Sequence, residues 1–229
     1  MVLELAKLLG PERRWSLIGG LMVQLHGFEH GSGVRPTADI DLLADARRRP
    51  EMTEQVANLL VAKGGRMAIP PVSNEKLGFR FELDGETIEV LGPDGLGRDP
   101  HTIGRHVTFQ APGGTQALLR TAVVPVSLNG KAPVEVRRPS LLGAILIKAR
   151  VLANRRGPKK DADLIDVVRL LGFVDDPRDM ATDGGLKKTE KRWLRDIQSA
   201  LDFRSPAVTA LLRPTEIARA VQAYRLLVR

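Results

Sequence analysis

Over the first 138 residues apolar positions recur mostly at every second residue, in short runs bounded by Gly and Pro; beyond them they recur every three or four. The short runs predict strands at Trp15–Ile18, Asp39–Leu43, Gly78–Leu83, Thr87–Leu91, His106–Gln110, Ala122–Leu128 and Val134–Arg137, with Asp84-Gly85 as a hairpin turn. Helices are expected after Gly19-Gly20 to about Leu25 and from about Glu51 to Lys63. After Pro139 the 3.6 period predicts helices from a Ser140 cap to about Asn154, over Asp161–Leu171, over Lys187–Leu201 and over Pro206–Leu227. Polar Asp175–Gly185 reads as a loop. The fold class is therefore α+β: a mixed sheet with flanking helices over residues 1–138, then a helical domain over 139–229.

Composition narrows the chemistry. The chain has 229 residues, 43% apolar and 27% charged, enough to bury a core. It contains no cysteine, which excludes disulfides, a thiolate nucleophile and Cys-ligated metal sites. No run approaches the roughly 18 apolar residues of a membrane span, so a cytoplasmic protein without membrane contact is expected. The net charge of +8 is unevenly placed: residues 1–135 carry 15 Lys/Arg against 16 Asp/Glu, and residues 136–229 carry 20 against 11. A basic half favours a phosphate-rich partner such as nucleic acid, although a solvated helical surface has the same composition. Aromatic residues are only 4% of the chain, which argues against reading single-stranded bases by stacking.

Two acids stand out. Asp39 and Asp41 lie two apart in a predicted strand and so share a face, where like charges repel unless a cation is shared. Hard oxygen ligands suit Mg²⁺. Glu89, between Ile88 and Val90 in another predicted strand, is a third candidate ligand. Taken singly these features are commonplace: an Asp-X-Asp is usually a solvated strand face, and Gly19-Gly20 a tight turn. The four histidines, His26, His30, His101 and His106, lack ligand spacing, and Gly27 and Gly31 around His26 and His30 favour a loop for that pair.

In order, however, Leu17-Ile18-Gly19-Gly20, a short helix, Arg35-Pro36-Thr37-Ala38-Asp39-Ile40-Asp41-Leu42-Leu43 and a later strand with Glu89 resemble the nucleotidyltransferase superfamily that includes DNA polymerase β. Within it the sequence is most similar to AbiEii-type, MenT-like enzymes, many of them toxins of bacterial toxin–antitoxin systems. Lys148-Ala-Arg150 followed by Arg155-Arg156-Gly-Pro-Lys159-Lys160-Asp161-Ala-Asp163-Leu-Ile-Asp166 resembles that family's downstream motif.

The resemblance implies transfer of NMP from an NTP to an acceptor, with Mg²⁺ or Mn²⁺ held by Asp39, Asp41 and Glu89. It implies a nucleotide gripped by Gly19, Gly20 and the amide of Leu21, which stands where the family often has Ser or Thr. Arg35, Thr37, Lys148, Lys160 and Asp166 would be further nucleotide-binding residues, with Asp163 a catalytic acid and Asp161 an alternative for its place. Implied partners are RNA, in particular the tRNA 3′ end, and a cognate antitoxin. A small-molecule acceptor and a catalytically inactive nucleotide- or RNA-binding module are the alternatives. Independently of the family, Lys148 has apolar helical neighbours at Ala144, Ile145, Val151 and Leu152, so its ammonium needs an anionic partner: a phosphate, Asp163 or Asp166.

Overall fold

The computed structural model describes residues 1–10, 14–33, 35–68, 77–104, 106–157, 159–176, 180 and 185–229. These form two compact units: Met1–Met22 with Pro36–Pro139, and Val23–Arg35 with Ser140–Arg229. The second unit thus takes a segment from the first half of the chain, which a single cut near residue 138 does not anticipate. The elements of the first unit are α1 (Val2–Leu9), β1 (Trp15–Ile18), the start of α2 (Gly19–Glu29), β2 (Asp39–Ala44), α3 (Met52–Ala62), β3 (Arg66–Ala68), β4 (Arg80–Leu83), β5 (Glu86–Pro93), β6 (Gln110–Ala111), α4 (Gly114–Leu119), β7 (Thr121–Val126) and β8 (Val134–Pro139). The class is α+β.

Its sheet runs β1-β2-β5-β4-β3, with β6 pairing β5. Only the β2–β5 and β5–β6 pairs are parallel. The period of two holds where it matters most. Ile40, Leu42, Phe81, Ile88 and Val90 are buried, and α3 packs on these strands with its own buried Met52, Val56, Ala57 and Leu60. Full burial of each such side chain contributes roughly 1.5–3 kcal/mol. Asp39, Asp41 and Glu89 alternate with these residues and therefore stand on the opposite face. The β4–β5 hairpin turns through Asp84 and Gly85, both at positive φ, as a two-residue loop of the primed type requires. A separate antiparallel pair, β7–β8, is tied to β1 by Arg137 Nε donating to the Trp15 carbonyl at 2.9 Å and Thr121 Oγ1 donating to Ser16 Oγ at 3.0 Å.

The second unit contains the rest of α2, then α5 (Leu141–Asn154), α6 (Lys160–Gly172), α7 (Lys188–Asp196), α8 (Pro206–Thr209) and α9 (Pro214–Leu227). Ser140 caps α5, accepting from the Gly143 amide at 3.3 Å. Leu194 and Ile197 are buried, and Trp193 lies beneath the Arg150 guanidinium, 4.8 Å from the ring centroid. No helix among the described residues is long and apolar enough to cross a membrane.

Three expectations need correction, and one helix was not anticipated. Val2–Leu9 is helical, its buried Leu5, Ala6 and Leu9 forming too short a stripe to stand out as a period. His106–Gln110 is not a strand: Val107 makes isolated bridges to Leu77 and His101, and only Gln110–Ala111 joins the sheet. The helix expected over Lys187–Leu201 ends at Asp196. The one expected over Pro206–Leu227 is two, because Pro214 has no N–H to continue a helix and its ring clashes with the preceding turn. Most of the expected loop at Asp175–Gly185 lies outside the described residues.

At the start of α9, Glu216 completes a capping box. Its Oε2 accepts from the Arg213 amide at 2.8 Å and its Oε1 accepts from Ser32 Oγ at 2.8 Å. Burial opposes its ionisation, but the hydrogen bonds from Arg213 and Ser32 prevail and bring its pKa down to about 2. Because the folded value lies below the unfolded one, this carboxylate stabilises the fold above about pH 4.5 and ceases to as pH falls toward 2. Arg213 is largely exposed, and after solvent screening the contribution at neutral pH is about 2 kcal/mol. Glu216→Gln is expected to remove it, so that urea midpoints of variant and parent converge between pH 4.5 and pH 2.5.

Candidate functional site

The acids are aligned by strand register. In the parallel β2–β5 pair Asp41 stands opposite Glu89 and Asp39 opposite Thr87. Across β1, Ile18 is paired with Asp41; across β4, Arg80 is paired with Glu89. One row across the sheet therefore reads Ile18, Asp41, Glu89, Arg80. Like charges opposite one another on neighbouring strands weaken a sheet, so Asp41 beside Glu89 needs a compensating cation.

Arg80 supplies positive charge. Its Nη2 and Nε donate to Glu89 Oε1 at 2.5 and 3.2 Å. The hydrogen bond to Glu89 raises the guanidinium pKa above its ordinary value against the opposing effect of burial, and the fields of Glu89, Asp39 and Asp41 raise it further. Sequence reasoning missed Arg80, although the signal was present. With Leu83 and Glu86 closing the Asp84-Gly85 turn, counting back three from one and forward three from the other pairs Arg80 with Glu89.

Ile18 leads directly into α2, whose first residues crowd the acids. Gly19 has φ +69°, and a Cβ there would overlap the Asp41 carboxylate. A Cβ on Gly20 would come within 2.6 Å of Thr37 Oγ1 and 2.8 Å of Thr37 Cβ. Both glycines are needed, one for conformation and contact, the other for contact alone. The helix thereby brings its first N–H groups, which have no partner within the helix, beside Asp41 and Thr37. Leu21 is half-buried. Gly19→Ala is expected to destabilise by roughly 1–3 kcal/mol. Thermal melts of variant and parent check this.

Three carboxylates on one face are hard oxygen donors of the kind that suit a divalent cation, and the Arg80 guanidinium lies against one of them. As the side chains stand, no group of three His, Asp or Glu among the described residues is drawn together closely enough to hold a metal ion. Glu89 is engaged by Arg80 instead.

Of the remaining predicted residues, Arg35, Lys148, Asp163 and Asp166 meet in the second unit. Lys148, buried on α5, lies 2.8 Å from Asp166 Oδ2 and 3.5 Å from Asp163 Oδ1. Arg35 Nη2 reaches Asp166 Oδ2 at 3.2 Å, and Arg155 Nε reaches Asp163 Oδ2 at 2.8 Å. The anionic partners that Lys148 needs are therefore Asp163 and Asp166, both buried on α6; Asp161 and Lys160 are exposed. Arg169, one turn beyond Asp166, is buried, and desolvation lowers its pKa while Asp166 and Glu216 oppose that shift. His26 lies within α2 rather than in a loop and is buried, and His30 stacks on Phe173 with centroids 4.6 Å apart. A surface cavity of about 400 Å³ bordered by Phe203, Tyr224 and Arg225 includes none of the predicted residues.

No family model matches the chain, and no curated protein matches it. Among solved structures it is similar to the crystal structure of ANT(2")-Ia in complex with adenylyl-2"-tobramycin, at 17% identity and TM-score 0.44, over 80% of this chain and 90% of that one. It is similar to an antigenic nucleotidyltransferase-like protein from Paracoccidioides brasiliensis at 17% identity and TM-score 0.44, over 87% and 89%. The solution structure of ANT(2'')-Ia matches at 16% identity and TM-score 0.36, over 99% and 94%. The chemistry of the site rests on its own residues.

Proposed function

We propose that this chain is a divalent-metal-dependent nucleotidyltransferase, moving the nucleotidyl group of an NTP onto an acceptor hydroxyl. The observation that carries this reading is the register of Asp41 against Glu89, with Asp39 on the same face and the glycine-opened end of α2 against Asp41. Three acids on one patch weaken the sheet unless a cation is shared, so their placement is explained by binding one. Asp39, Asp41 and Glu89 hold the ion, Mg²⁺ or Mn²⁺. When bound, it neutralises charge on the phosphates and lowers the pKa of the attacking hydroxyl. The first amides of α2, from Gly19 to Leu21, receive phosphate oxygens, as helix N-termini do, and Thr37 fixes their position through its contact with Gly20. The acceptor oxygen bonds to the α-phosphorus, the bond to the bridging oxygen breaks, pyrophosphate leaves, and the hydroxyl proton passes to solvent or base. In the second unit Asp163 and Asp166 hold Lys148 in place; for Lys148, Lys160 and Arg35 a nucleotide-binding role is supported by the likeness of the motifs alone.

For the acceptor we favour RNA. Two stretches of the second unit, Arg155, Arg156, Lys159, Lys160 and Lys187, Lys188, Arg192, Arg195, are exposed and basic, which suits backbone contacts. The likeness of the motifs to AbiEii-type toxins supports a tRNA 3′ end as the labelled species and a cognate antitoxin as partner. The test is incubation with each labelled NTP, Mg²⁺ and total RNA, with EDTA as control. Label at tRNA 3′ ends supports the full reading, and label on small molecules alone reassigns the acceptor. Absence of label, with thermal stabilisation by RNA but none by NTP and Mg²⁺, replaces the enzyme with an RNA-binding module.

A further inference from the structure

The edge of β5 changes partner just beyond Glu89. The Val90 amide donates to the Phe79 carbonyl at 2.8 Å and the Gly92 amide to the Phe109 carbonyl at 3.0 Å, so β5 is bordered first by the approach to β4 and then by the approach to β6. Leu77 and Val107 form a parallel bridge, and the Gly78 amide donates to the Val107 carbonyl at 3.0 Å. Two residues on from that bridge in each segment, Phe79 meets Phe109 with ring centroids 4.8 Å apart and planes at 66°. Phe79 is buried, whereas Phe109 is 48% exposed. An exposed phenylalanine by itself is ordinary. This one is braced by a buried ring, and that ring lies 5.8 Å from the guanidinium carbon of Arg80, whose Nη2 and Nε donate to Glu89 Oε1. An aromatic ring open to solvent, a guanidinium and the acid patch thus follow one another within the first unit.

We propose that Phe109, backed by Phe79, stacks on the base of the acceptor nucleotide whose hydroxyl attacks. The inference rests on the proposed transfer reaction and names what its acceptor must carry: a terminal nucleobase. In-line displacement puts the leaving pyrophosphate and the attacking oxygen on opposite sides of the α-phosphorus. The row Ile18, Asp41, Glu89, Arg80 crosses four strands, about 14 Å at the spacing of paired strands. The phosphate-receiving amides of α2 open at the Ile18 end, so the acceptor enters at the Arg80 end, where the two rings stand. Every base has a π-face, so one ring holds one base without selecting which. The Arg80 side chain, 41% exposed, adds positive charge beside the acceptor's backbone. A single platform agrees with an aromatic content of 4%, too low for stacking along a strand.

The test uses a short single-stranded RNA whose 3′-terminal base is 2-aminopurine, and the same RNA ending in an abasic nucleotide. Binding is followed by 2-aminopurine fluorescence and by the anisotropy of a 5′ dye, on the parent, Phe109→Ala, Phe109→Leu and Phe109→Trp. The parent is expected to quench the terminal base and to bind that RNA about tenfold more tightly than the abasic one. Phe109→Ala and Phe109→Leu should lose the quenching and bind the two RNAs equally, whereas Phe109→Trp should keep both properties. In transfer assays the Ala and Leu variants should raise KM for the RNA about tenfold and leave KM for the NTP at the parent value. Ala and Leu variants that keep the parent's preference for the terminal base overturn the inference. So does a loss of thermal stabilisation by ATP and Mn²⁺ in those variants, which gives the ring to the NTP instead. A parent that quenches the terminal base but is neither stabilised by ATP and Mn²⁺ nor active in transfer fails as a transferase and keeps Phe109 only as a site for RNA ends.

Discussion

Asp41→Asn should lower nucleotide transfer at least a hundredfold while melting at the parent temperature or slightly above it. The two outcomes have one cause. Asp41 faces Glu89 across a parallel strand pair and has Asp39 two residues away on the same face, so the three charges repel one another and together favour a cation. Asn keeps the shape and one acceptor oxygen but removes the charge, relieving about 0.2–1 kcal/mol of cross-strand repulsion. A hundredfold loss corresponds to about 2.7 kcal/mol of transition-state stabilisation, a modest figure for a group on which a catalytic charge depends. Single-turnover transfer of labelled nucleotide and a thermal melt, run on the same preparation, check both halves. A variant that transfers normally removes Asp41 from the reaction; one that loses activity and unfolds early makes Asp41 structural.

The second large effect is expected at Lys148. Replacing it with methionine keeps the length of the side chain and its apolar stem but leaves Asp166, 2% exposed at its side chain, and Asp163, 7% exposed, without their shared ammonium. Removing one partner of a buried pair typically costs 3–5 kcal/mol, chiefly because the remaining charge stays buried. Here Arg35 still reaches Asp166 and Arg155 still reaches Asp163, so a loss near 3 kcal/mol is expected. Adding Asp166→Asn to Lys148→Met should cost less than the two single changes together, a non-additivity readable in urea unfolding. Additive losses would show that Lys148 and Asp166 are not energetically coupled.

How far the site could be read from sequence depended on the range of the interaction. The shared face of Asp39 and Asp41 and the hairpin at Asp84-Gly85 follow from local periodicity and turn chemistry, and the structure has both. That Glu89 lies next to Asp41 required a pairing between strands with α3, β3 and β4 between them in sequence, which no local pattern specifies; only the motif order suggested it. The need of Lys148 for an anion was legible from its apolar neighbours, whereas the choice of Asp163 and Asp166 over a phosphate was not. Arg80 was overlooked because an arginine on an alternating strand resembles any solvated position until the hairpin register is counted. The break at Pro214 was legible in principle and was passed over because the apolar period continues on both sides of it.

The mixed direction of the sheet bears on the order in which this patch comes together. Arg80 and Glu89 are joined by a tight reversal nine residues long, whereas Asp41 and Glu89, at positions 41 and 89, can meet only after a much larger ring of chain has closed. Short rings close sooner and at lower entropic cost than long ones. Of the two contacts, the one between Arg80 and Glu89 therefore costs less chain entropy to close, and its guanidinium offsets the Glu89 charge that Asp41 must approach.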